Sequence, residues 1–275
     1  MQPLKQQQGF DTSHSRIIRD GLIILSVIVI LVGLALWLVS KAAGWAVDAV
    51  PTSVDKMIGE AAASGFAEDS NLCDHPSMNE YVTELTGPIL AAYGEQPYEF
   101  TFKVVDEEVP NAFALPGGFV TIHSGLIESA ATGEEIAGVI AHEIAHVTHR
   151  HGVRRILRSA GIAIAVGLVF GSTDIAILAD YAGELGALAY DRDQEREADE
   201  TAREVLAAAN IDPRGMASFF SKLLEEEGAA GWVPEFLSTH PDLKERIEES
   251  LEAALPAGPL VDLPDPEGLK CRSES

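Results

Sequence analysis

The segment HEIAH, from His142 to His146, combines residue types that bind a metal ion and activate water. Two histidines four positions apart on a helix lie one turn from each other, so both imidazoles can reach one zinc ion. Glu143 stands beside them as a candidate general base. The flanking residues from Thr132 to Gly152 are mostly apolar, which is typical of a core helix. Because buried polar groups need partners, such a helix is expected to bind something with these side chains.

A third protein ligand is expected for a catalytic zinc ion. His149 is the nearest candidate and lies on the same helix face. It is two turns from His142, about 10 Å along the helix axis, which is too far for a shared ion. We therefore predict a capping or surface role for His149.

A better source of the third ligand is the predicted helix from Asp191 to Ala209, DRDQEREADETAREVLAAA. Glu195 and Asp199 share its apolar face, whereas Glu197 lies on the opposite, charged face. Buried carboxylates require a cation or hydrogen-bond donors. Helical periodicity thus favours Glu195 or Asp199 over Glu197 as the ligand, and it leaves the choice between the first two open.

Further elements are expected to hold these two helices in place. Alternating apolar and polar residues at Tyr98 to Val105 and at Phe119 to His123 predict strands of a small antiparallel sheet packed on the HEIAH helix. The segment from Ser77 to Tyr93 is predicted to be a helix with one apolar side. An apolar run from Ser159 to Gly171 predicts a buried helix, or half of a hairpin with Ile175 to Tyr190. Contact of this run with the membrane surface or with substrate is the alternative.

The residues from Gly21 to Ser40 contain no charge and have about the length that a bilayer core requires. We predict that they form a retained transmembrane anchor in contact with the lipid bilayer. A cleaved signal peptide is the alternative, because Ala42 and Ala43 follow the run. The flanking basic residues slightly favour a cytoplasmic N-terminus, since Lys5, Arg16 and Arg19 precede the run and Lys41 and Lys56 follow it.

Composition narrows the classes of function. The chain has 275 residues, 47% of them hydrophobic, which suffices for one sizeable domain with attachments. Its net charge of −24 repels nucleic acid, so no nucleic-acid partner is expected. Cys73 and Cys271 have no metal-ligating neighbours, which argues against a thiolate zinc site. In an oxidising compartment the two cysteines could pair.

Four segments in order, NAFALPGG, HEIAH, EREAD and STHPDLKERI, resemble a known family. Together they are similar to the HtpX and CAAX-prenyl-endopeptidase family of zinc metallopeptidases, closest to its BepA-like and OMA-like branches. The resemblance covers roughly residues 72 to 255. It implies a mainly helical α+β fold, with a gluzincin-like metallopeptidase domain and a small antiparallel sheet, here preceded by one transmembrane helix. Because other members have several membrane spans, the single clear span favours a tethered quality-control protease over a CAAX-processing enzyme.

The resemblance also implies roles for single residues. His142, His146 and Glu195 would bind one Zn²⁺ per chain. Glu143 would activate the water, and Asp199 would orient a zinc-bound histidine. The resemblance thereby selects Glu195 as the ligand where periodicity leaves two candidates.

His240 lies in the segment STHPDLKERI, just before a predicted helix start at Pro241. A cap or loop role is the simplest interpretation. In the similar proteins the histidine of this segment faces the active site, where it binds the zinc or regulates access. If His240 ligates zinc at rest, it displaces the catalytic water and holds the enzyme inactive.

The predicted function is that of a membrane-anchored zinc endopeptidase, acting in quality control of misfolded membrane or envelope proteins. Its partners are protein or peptide substrates and the lipid bilayer, and its catalytic domain is expected on the periplasmic or other non-cytoplasmic side. Extended substrate is expected to pair with a strand edge, at Ala112 to Leu115 or at Phe119 to His123. The alternative function is a membrane-tethered chaperone or assembly factor with a regulated or silent zinc site.

The predicted organisation of the chain has five parts. A polar tail occupies residues 1–16, a transmembrane anchor residues 17–40 and a helical connector residues 41–70. The zinc metallopeptidase domain spans residues 71–255, and a C-terminal tail spans residues 256–275.

Overall fold

The computed structural model describes residues 12–69, 71–73, 75–160, 190–230, 240 and 242–271. The predicted apolar run from Ser159 and its hairpin partner lie almost entirely outside these residues. The described helices are α1 (Thr12–Ala49), α2 (Thr52–Asp69), α3 (Pro76–Tyr93), α4 (Ser124–Ser129), α5 (Gly133–Thr148), α6 (His151–Ala160), α7 (Arg192–Ala208), α8 (Gly215–Ala230) and α9 (Leu243–Leu251). The strands are β1 (Thr101–Val105), β2 (Ala112–Leu115) and β3 (Phe119–His123). The prediction of a mainly helical α+β fold with a small sheet is confirmed.

The sheet has the strand order β1-β3-β2. Strand β2 pairs antiparallel with β3, with Ala112 opposite Ile122, but β1 pairs parallel with β3, with Thr101 opposite Phe119. The predicted antiparallel arrangement is therefore wrong for β1. The direction of β1 follows from the route of the chain. After β1 the chain crosses to the far edge of the sheet and forms β2 there, and a tight turn then leads into β3. Gly117, with a φ of 81°, allows that turn, and β3 then enters between the other two strands.

Helix α5 lies at the centre of the larger hydrophobic core. Every residue from Gly133 to Val147 except Glu134 is buried. Helices α3, α7 and α8 and strand β2 pack around it. The approach to α8 is close, because a Cβ on Gly138 would lie 2.8 Å from the Cβ of Met216. Helix α5 is thus held on several sides, which positions the side chains it carries.

Helix α1 runs without a break from the predicted anchor into the predicted connector. Its segment from Arg16 to Leu34 contains no buried residue and is long and apolar enough to cross a membrane. Helix α2 follows after a short link at Val50 and Pro51. Within the described residues, the predicted connector consists of the end of α1 together with α2.

A second, smaller apolar cluster joins α1 and α2 to α6. It consists of Val47, Val50, Ile58, Ala62, Leu115, Val153, Ile156 and Leu157. Arg150, between α5 and α6, reaches this junction. Its guanidinium donates to the backbone oxygens of Val47 and Val50 and forms an ion pair of 2.6 Å with Asp55. The junction therefore ties the N-terminal helices to the end of α5.

A disulfide between Cys73 and Cys271 joins the residues before α3 to the end of the described chain, 198 residues further on. After α9 the chain runs back over the domain. The Val261 N–H donates to the carbonyl oxygen of Asn210 at 2.8 Å, and Leu263 packs against the start of α5. The described part of the predicted C-terminal tail is thus packed on the domain and covalently attached to it.

Candidate metal centre

Helices α5 and α7 bring the predicted metal ligands together in one buried cluster. Helix α5 carries His142 and His146, and α7 carries Glu195. His240 lies just before α9 and joins them. Each of these four residues offers one ligand atom, and the four atoms all lie within 4.8 Å of one another. We call these four residues the metal cage.

Local sequence explains why α7 presents carboxylates to the cage. The helix begins with a capping box, in which Asp191 accepts from the Gln194 N–H and Gln194 accepts from the Asp191 N–H. Glu195 and Asp199 are buried on the face that packs against α5, whereas the Glu197 side chain is 44% exposed. The predicted separation of the two helix faces is therefore observed.

The donor atoms have separations that suit a tetrahedral metal ion. Nε2 of His142 and Nε2 of His146 are 2.9 Å apart, and oxygens of Glu195 lie 3.6 and 3.4 Å from them respectively. Nδ1 of His240 lies 3.2 Å from His142 Nε2 and 3.1 Å from Glu195 Oε1. Ligand atoms bound to a tetrahedral zinc ion at about 2.0–2.1 Å are about 3.3 Å apart. The cage residues therefore fit a metal ion.

The protonation states of His146 and Glu195 also suit metal binding. Burial lowers the pKa of His146 to about 3, and His142 adds to this effect, so the imidazole is neutral. Burial alone would raise the pKa of Glu195, but His240 and Arg246 hold it well below its usual value. Neutral imidazole and ionised carboxylate are the forms that ligate metals.

Glu143 lies beside the cage with its carboxylate fully buried. Neither carboxylate oxygen makes a hydrogen bond of normal geometry with the described residues. Burial raises the pKa of Glu143, while the charges of His240 and His142 and the backbone N–H of Ala114 oppose the rise. A buried carboxylate that is not locked in hydrogen bonds is suited to take up a proton from a bound molecule.

Asp199 lies behind the cage, on the side of His142 that faces away from the other ligands. Its Oδ1 is 2.7 Å from Nδ1 of His142. Its two oxygens also receive hydrogen bonds of 2.6 and 2.8 Å from Arg246. Burial would raise the pKa of Asp199, but Arg246 and His142 lower it to about 2. An ionised Asp199 at this position orients His142 so that Nε2 faces the cage.

Comparison with known proteins identifies the family. A profile of Peptidase family M48 matches residues 76–254, which contain the whole metal cage. The chain belongs to Peptidase family M48. The resemblance inferred from the four sequence segments is thereby confirmed. Members of family M48 are metallopeptidases, so the cage lies in a domain that uses a metal cofactor.

Three relatives show which branches of family M48 this chain is similar to. A Vibrio cholerae protein, provisionally named a beta-barrel assembly-enhancing protease, is 35% identical over 214 residues, 74% of this chain and 44% of that protein. The beta-barrel assembly-enhancing protease of Escherichia coli K12 is 30% identical over 204 residues, 69% of this chain and 42% of that protein. The mitochondrial metalloendopeptidase OMA1 of Schizosaccharomyces pombe is 31% identical over 184 residues, 66% of this chain and 54% of that protein. The chain thus spans roughly half the length of these relatives.

Sequence reasoning misses three residues that touch the M48 cage. Nη1 of Arg246 lies 2.6 Å from Glu195 Oε2, a short ion pair that does not have hydrogen-bond angles. The ring of Tyr190 stacks on His146 with centroids 3.9 Å apart. Nδ1 of His151 lies 2.8 Å from Nδ1 of His146. Only Arg246 leaves a signal in the sequence, because two carboxylates on an apolar face require a cationic partner.

His149 lies outside the metal cage, as the helix spacing predicts. Its side chain is 27% exposed, and its Nε2 contacts Thr201 Oγ1 at 2.7 Å. It belongs instead to a second group with His151 and Glu197.

Proposed function

We propose that this M48 chain is a membrane-anchored zinc endopeptidase that cleaves misfolded membrane or envelope proteins. The observation that carries the proposal is the metal cage with Glu143 beside it. The buried carboxylate of Glu143 makes no hydrogen bond of normal geometry with the described residues. The names of the relatives, a beta-barrel assembly-enhancing protease and a metalloendopeptidase, support protein substrates.

The proposed chemistry assigns a separate task to each side chain. A Zn²⁺ ion held by the cage would supply the Lewis acid for peptide hydrolysis. Glu143 takes the proton from the attacking water and passes it to the leaving amine. Its raised pKa makes it a stronger base than an exposed carboxylate. Asp199 holds the tautomer and orientation of His142.

Extended substrate is proposed to bind along β2. Of the two predicted strand edges, Phe119 to His123 is ruled out, because β3 lies between β1 and β2. The outer edge of β2, at Ala112 to Leu115, pairs with no other strand in the described part of the chain. The backbone N–H of Ala114 lies close to Glu143. A peptide added to this edge would therefore pass beside the proposed base.

His240 is proposed to keep the enzyme at rest. Its Nδ1 occupies the fourth corner of the cage, and its Nε2 lies 3.5 Å from Glu143 Oε1. A side chain in this position competes with water and substrate. His240→Ala is therefore expected to raise the initial rate of cleavage of an unfolded protein several-fold. A lower rate than that of the parent would instead indicate that His240 takes part in catalysis.

We also propose that the peptidase domain, predicted at residues 71–255, lies outside the cytoplasm behind the anchor at residues 17–40. Helix α1 is long and apolar enough to form the span, and its flanking charges favour a cytoplasmic N-terminus. The disulfide between Cys73 and Cys271 supports an oxidising compartment. The same disulfide argues that the predicted tail, assigned to residues 256–275, belongs to the folded domain as far as Cys271.

The proposed function is tested by cleavage of an unfolded protein by the full chain in detergent with zinc. Glu143→Gln is expected to cleave about 10²–10⁴-fold more slowly, because it lacks the general base. Its zinc content and melting temperature should match those of the parent. Glu134→Gln, which alters a carboxylate in the first turn of the same helix and outside the cage, is the matched control and should cleave normally. The proposal is wrong if Glu143→Gln cleaves as fast as the parent, or if chelation of zinc leaves cleavage intact.

The second candidate is a membrane-tethered chaperone or assembly factor with a silent zinc site. The position of His240 favours it, because a cage closed by four protein ligands has no position for water. A rescue assay separates the two functions. Full restoration of a deletion phenotype by Glu143→Gln would identify binding, and failure to restore it would identify cleavage.

A further inference from the structure

A second group of metal-binding side chains lies where α5, α6 and α7 meet. It consists of His149, His151 and Glu197. We propose that these residues bind a second divalent transition-metal ion, for which Zn²⁺ is the probe, and that its binding opposes metal binding in the cage. The existence of the second site does not depend on the proposed function. The coupling does rest on the proposed function, because it requires a metal ion in the cage.

The donor atoms of the second site have separations that suit zinc. Nδ1 of His149 lies 3.3 Å from Glu197 Oε1, and Nε2 of His151 lies 3.0 Å from Glu197 Oε2. The two imidazole rings stack with centroids 5.4 Å apart and 16° between their planes. These donor separations are close to the value of about 3.3 Å expected around tetrahedral zinc. Two imidazoles and a carboxylate are also donor types that transition metals accept.

The backbone between the two histidines brings their rings together. Arg150 separates them and has a φ of 56°, in the left-handed region that non-glycine residues rarely adopt. Its guanidinium is held by Asp55 and by two backbone oxygens at the junction with α1 and α2, which stabilises this conformation. As a result α5 ends and α6 begins within three residues, and both histidine rings face Glu197 of α7. The second site is therefore built by a supported backbone turn.

The second site is open to solvent on one side. The side chain of His151 is buried, whereas those of His149 and Glu197 are 27% and 44% exposed. Water can therefore complete the coordination of an ion held by three protein ligands. Arg154 is the competing cation, with Nη1 3.4 Å from Glu197 Oε2, and its side chain is 32% exposed. A flexible surface arginine at this distance can turn to solvent when a divalent ion binds.

His151 connects the second site to the cage through one hydrogen bond. Its Nδ1 and Nδ1 of His146 are 2.8 Å apart, so one nitrogen donates and the other accepts. A His146 that binds metal through Nε2 carries its proton on Nδ1. His151 then accepts there, and its own Nε2–H donates to Glu197 at 3.0 Å. A metal ion on Nε2 of His151 moves that proton to Nδ1, where two N–H groups would face each other.

The metal content of the purified full chain tests the second site. After dialysis against buffered zinc, the parent is expected to hold two zinc ions per chain by elemental mass spectrometry. His149→Ala removes a ligand of the second site without touching the cage, and it is expected to hold one ion fewer. His75→Ala, which removes an exposed histidine outside both groups, is the matched control and should hold as many ions as the parent. Equal metal content in the parent and His149→Ala overturns the second site.

The zinc affinity of the second site, measured by titration in a series of zinc buffers, tests the coupling. In the parent the second ion binds while the cage is filled, whereas in His142→Ala it binds beside a cage that lacks a ligand. The second site of His142→Ala is therefore expected to bind zinc about 5- to 150-fold more tightly than that of the parent, the usual range for coupled sites. Equal affinity of the second site in both proteins overturns the coupling. Because these measurements do not use cleavage, a parent that cleaves nothing contradicts the proposed function while zinc binding still decides the second site and its coupling.

Discussion

Two arginine–aspartate pairs with buried carboxylates hold different regions of this molecule, and only one of them touches the metal cage. Arg246 bonds to Asp199 at 2.6 and 2.8 Å and lies 2.6 Å from Glu195. Arg150 bonds to Asp55 at 2.8 and 2.6 Å, and its remaining hydrogen bonds go to backbone oxygens of the N-terminal helices. The same chemical pair therefore supports a candidate metal site in one region and a helix junction in the other.

The difference between the regions lies in the third partner of each aspartate. Asp199 contacts Nδ1 of His142, a residue of the metal cage. Asp55 instead accepts a hydrogen bond of 2.7 Å from the hydroxyl of Tyr98 in the scaffold. The pair by itself does not determine a role. What the carboxylate touches beyond the arginine decides whether the pair acts on a metal ligand or on packing.

Removal of either arginine should have the largest effect on stability. Arg246→Met and Arg150→Met each leave a buried aspartate without its cation, which costs about 3–5 kcal/mol of unfolding free energy. The two variants should differ in their response to zinc. A metal ion in the cage compensates for the lost charge of Arg246, so excess zinc should restore part of the stability of Arg246→Met.

Urea unfolding of the full chain in detergent, with and without zinc, measures this difference. Arg150→Met is the matched control, because its aspartate lies away from the cage, so zinc should stabilise it no more than it stabilises the parent. If zinc raised the unfolding free energy of both variants by the same amount, the two arginines would not differ in their relation to the cage.

Substitution of the two aspartates tests the same difference through zinc affinity, with a smaller expected effect. Asp199→Asn is expected to lower zinc affinity about 10–100-fold, because it weakens the contact that orients His142. Asp55→Asn should leave the zinc affinity of the cage unchanged. Competition with a coloured chelator measures both affinities. A similar loss of affinity in Asp55→Asn would mean that the helix junction also positions the cage.

A buried carboxylate outside both pairs and outside the cage tests ordinary acid sensitivity. Glu135, at the start of α5, receives hydrogen bonds from Lys222, Ser218 and the backbone N–H of Ala131 at 2.6, 2.7 and 2.8 Å. Burial alone would raise its pKa, but these three donors lower it below its usual value. A lowered pKa in the folded state means that the carboxylate stabilises the fold at neutral pH. That contribution is lost as the pH falls through the folded-state pKa.

Glu135→Gln is therefore expected to unfold at neutral pH with about 1 kcal/mol less free energy than the parent. The difference should shrink as the pH falls through the lowered pKa of the parent's carboxylate. Urea unfolding of both proteins between neutral and acid pH measures it. If the difference in unfolding free energy grew on acidification, the pKa of Glu135 would be raised in the folded state rather than lowered. A loss of zinc affinity in Glu135→Gln would mean that the start of α5 also positions the cage.

Helical periodicity predicts much of the candidate site because it is a local property. His142 and His146 lie one turn apart in any helix, and Glu195 and Asp199 share one face of theirs. Periodicity does not predict which carboxylate enters the cage. That choice depends on where α7 packs against α5, which brings Glu195 to both histidine Nε2 atoms and leaves Asp199 behind His142.

The sheet illustrates the opposite case. Alternation predicts the strands near Tyr98 to Val105 and Phe119 to His123, since it reports which residues face a core. It carries no information about neighbours, so the parallel pairing of β1 with β3 is not predicted. Strand order follows from the route of the chain around the domain.

The sequence by itself determined the metal-binding motif, the carboxylate-bearing helix face, the apolar span and the family. These depend on residue type and on spacing within single elements. Only the tertiary structure decided that Arg246 pairs with Asp199, that Tyr190 and His151 touch His146, and that Cys73 reaches Cys271. Those contacts join segments far apart in the chain, and they exist because close packing of the whole core leaves each side chain one position.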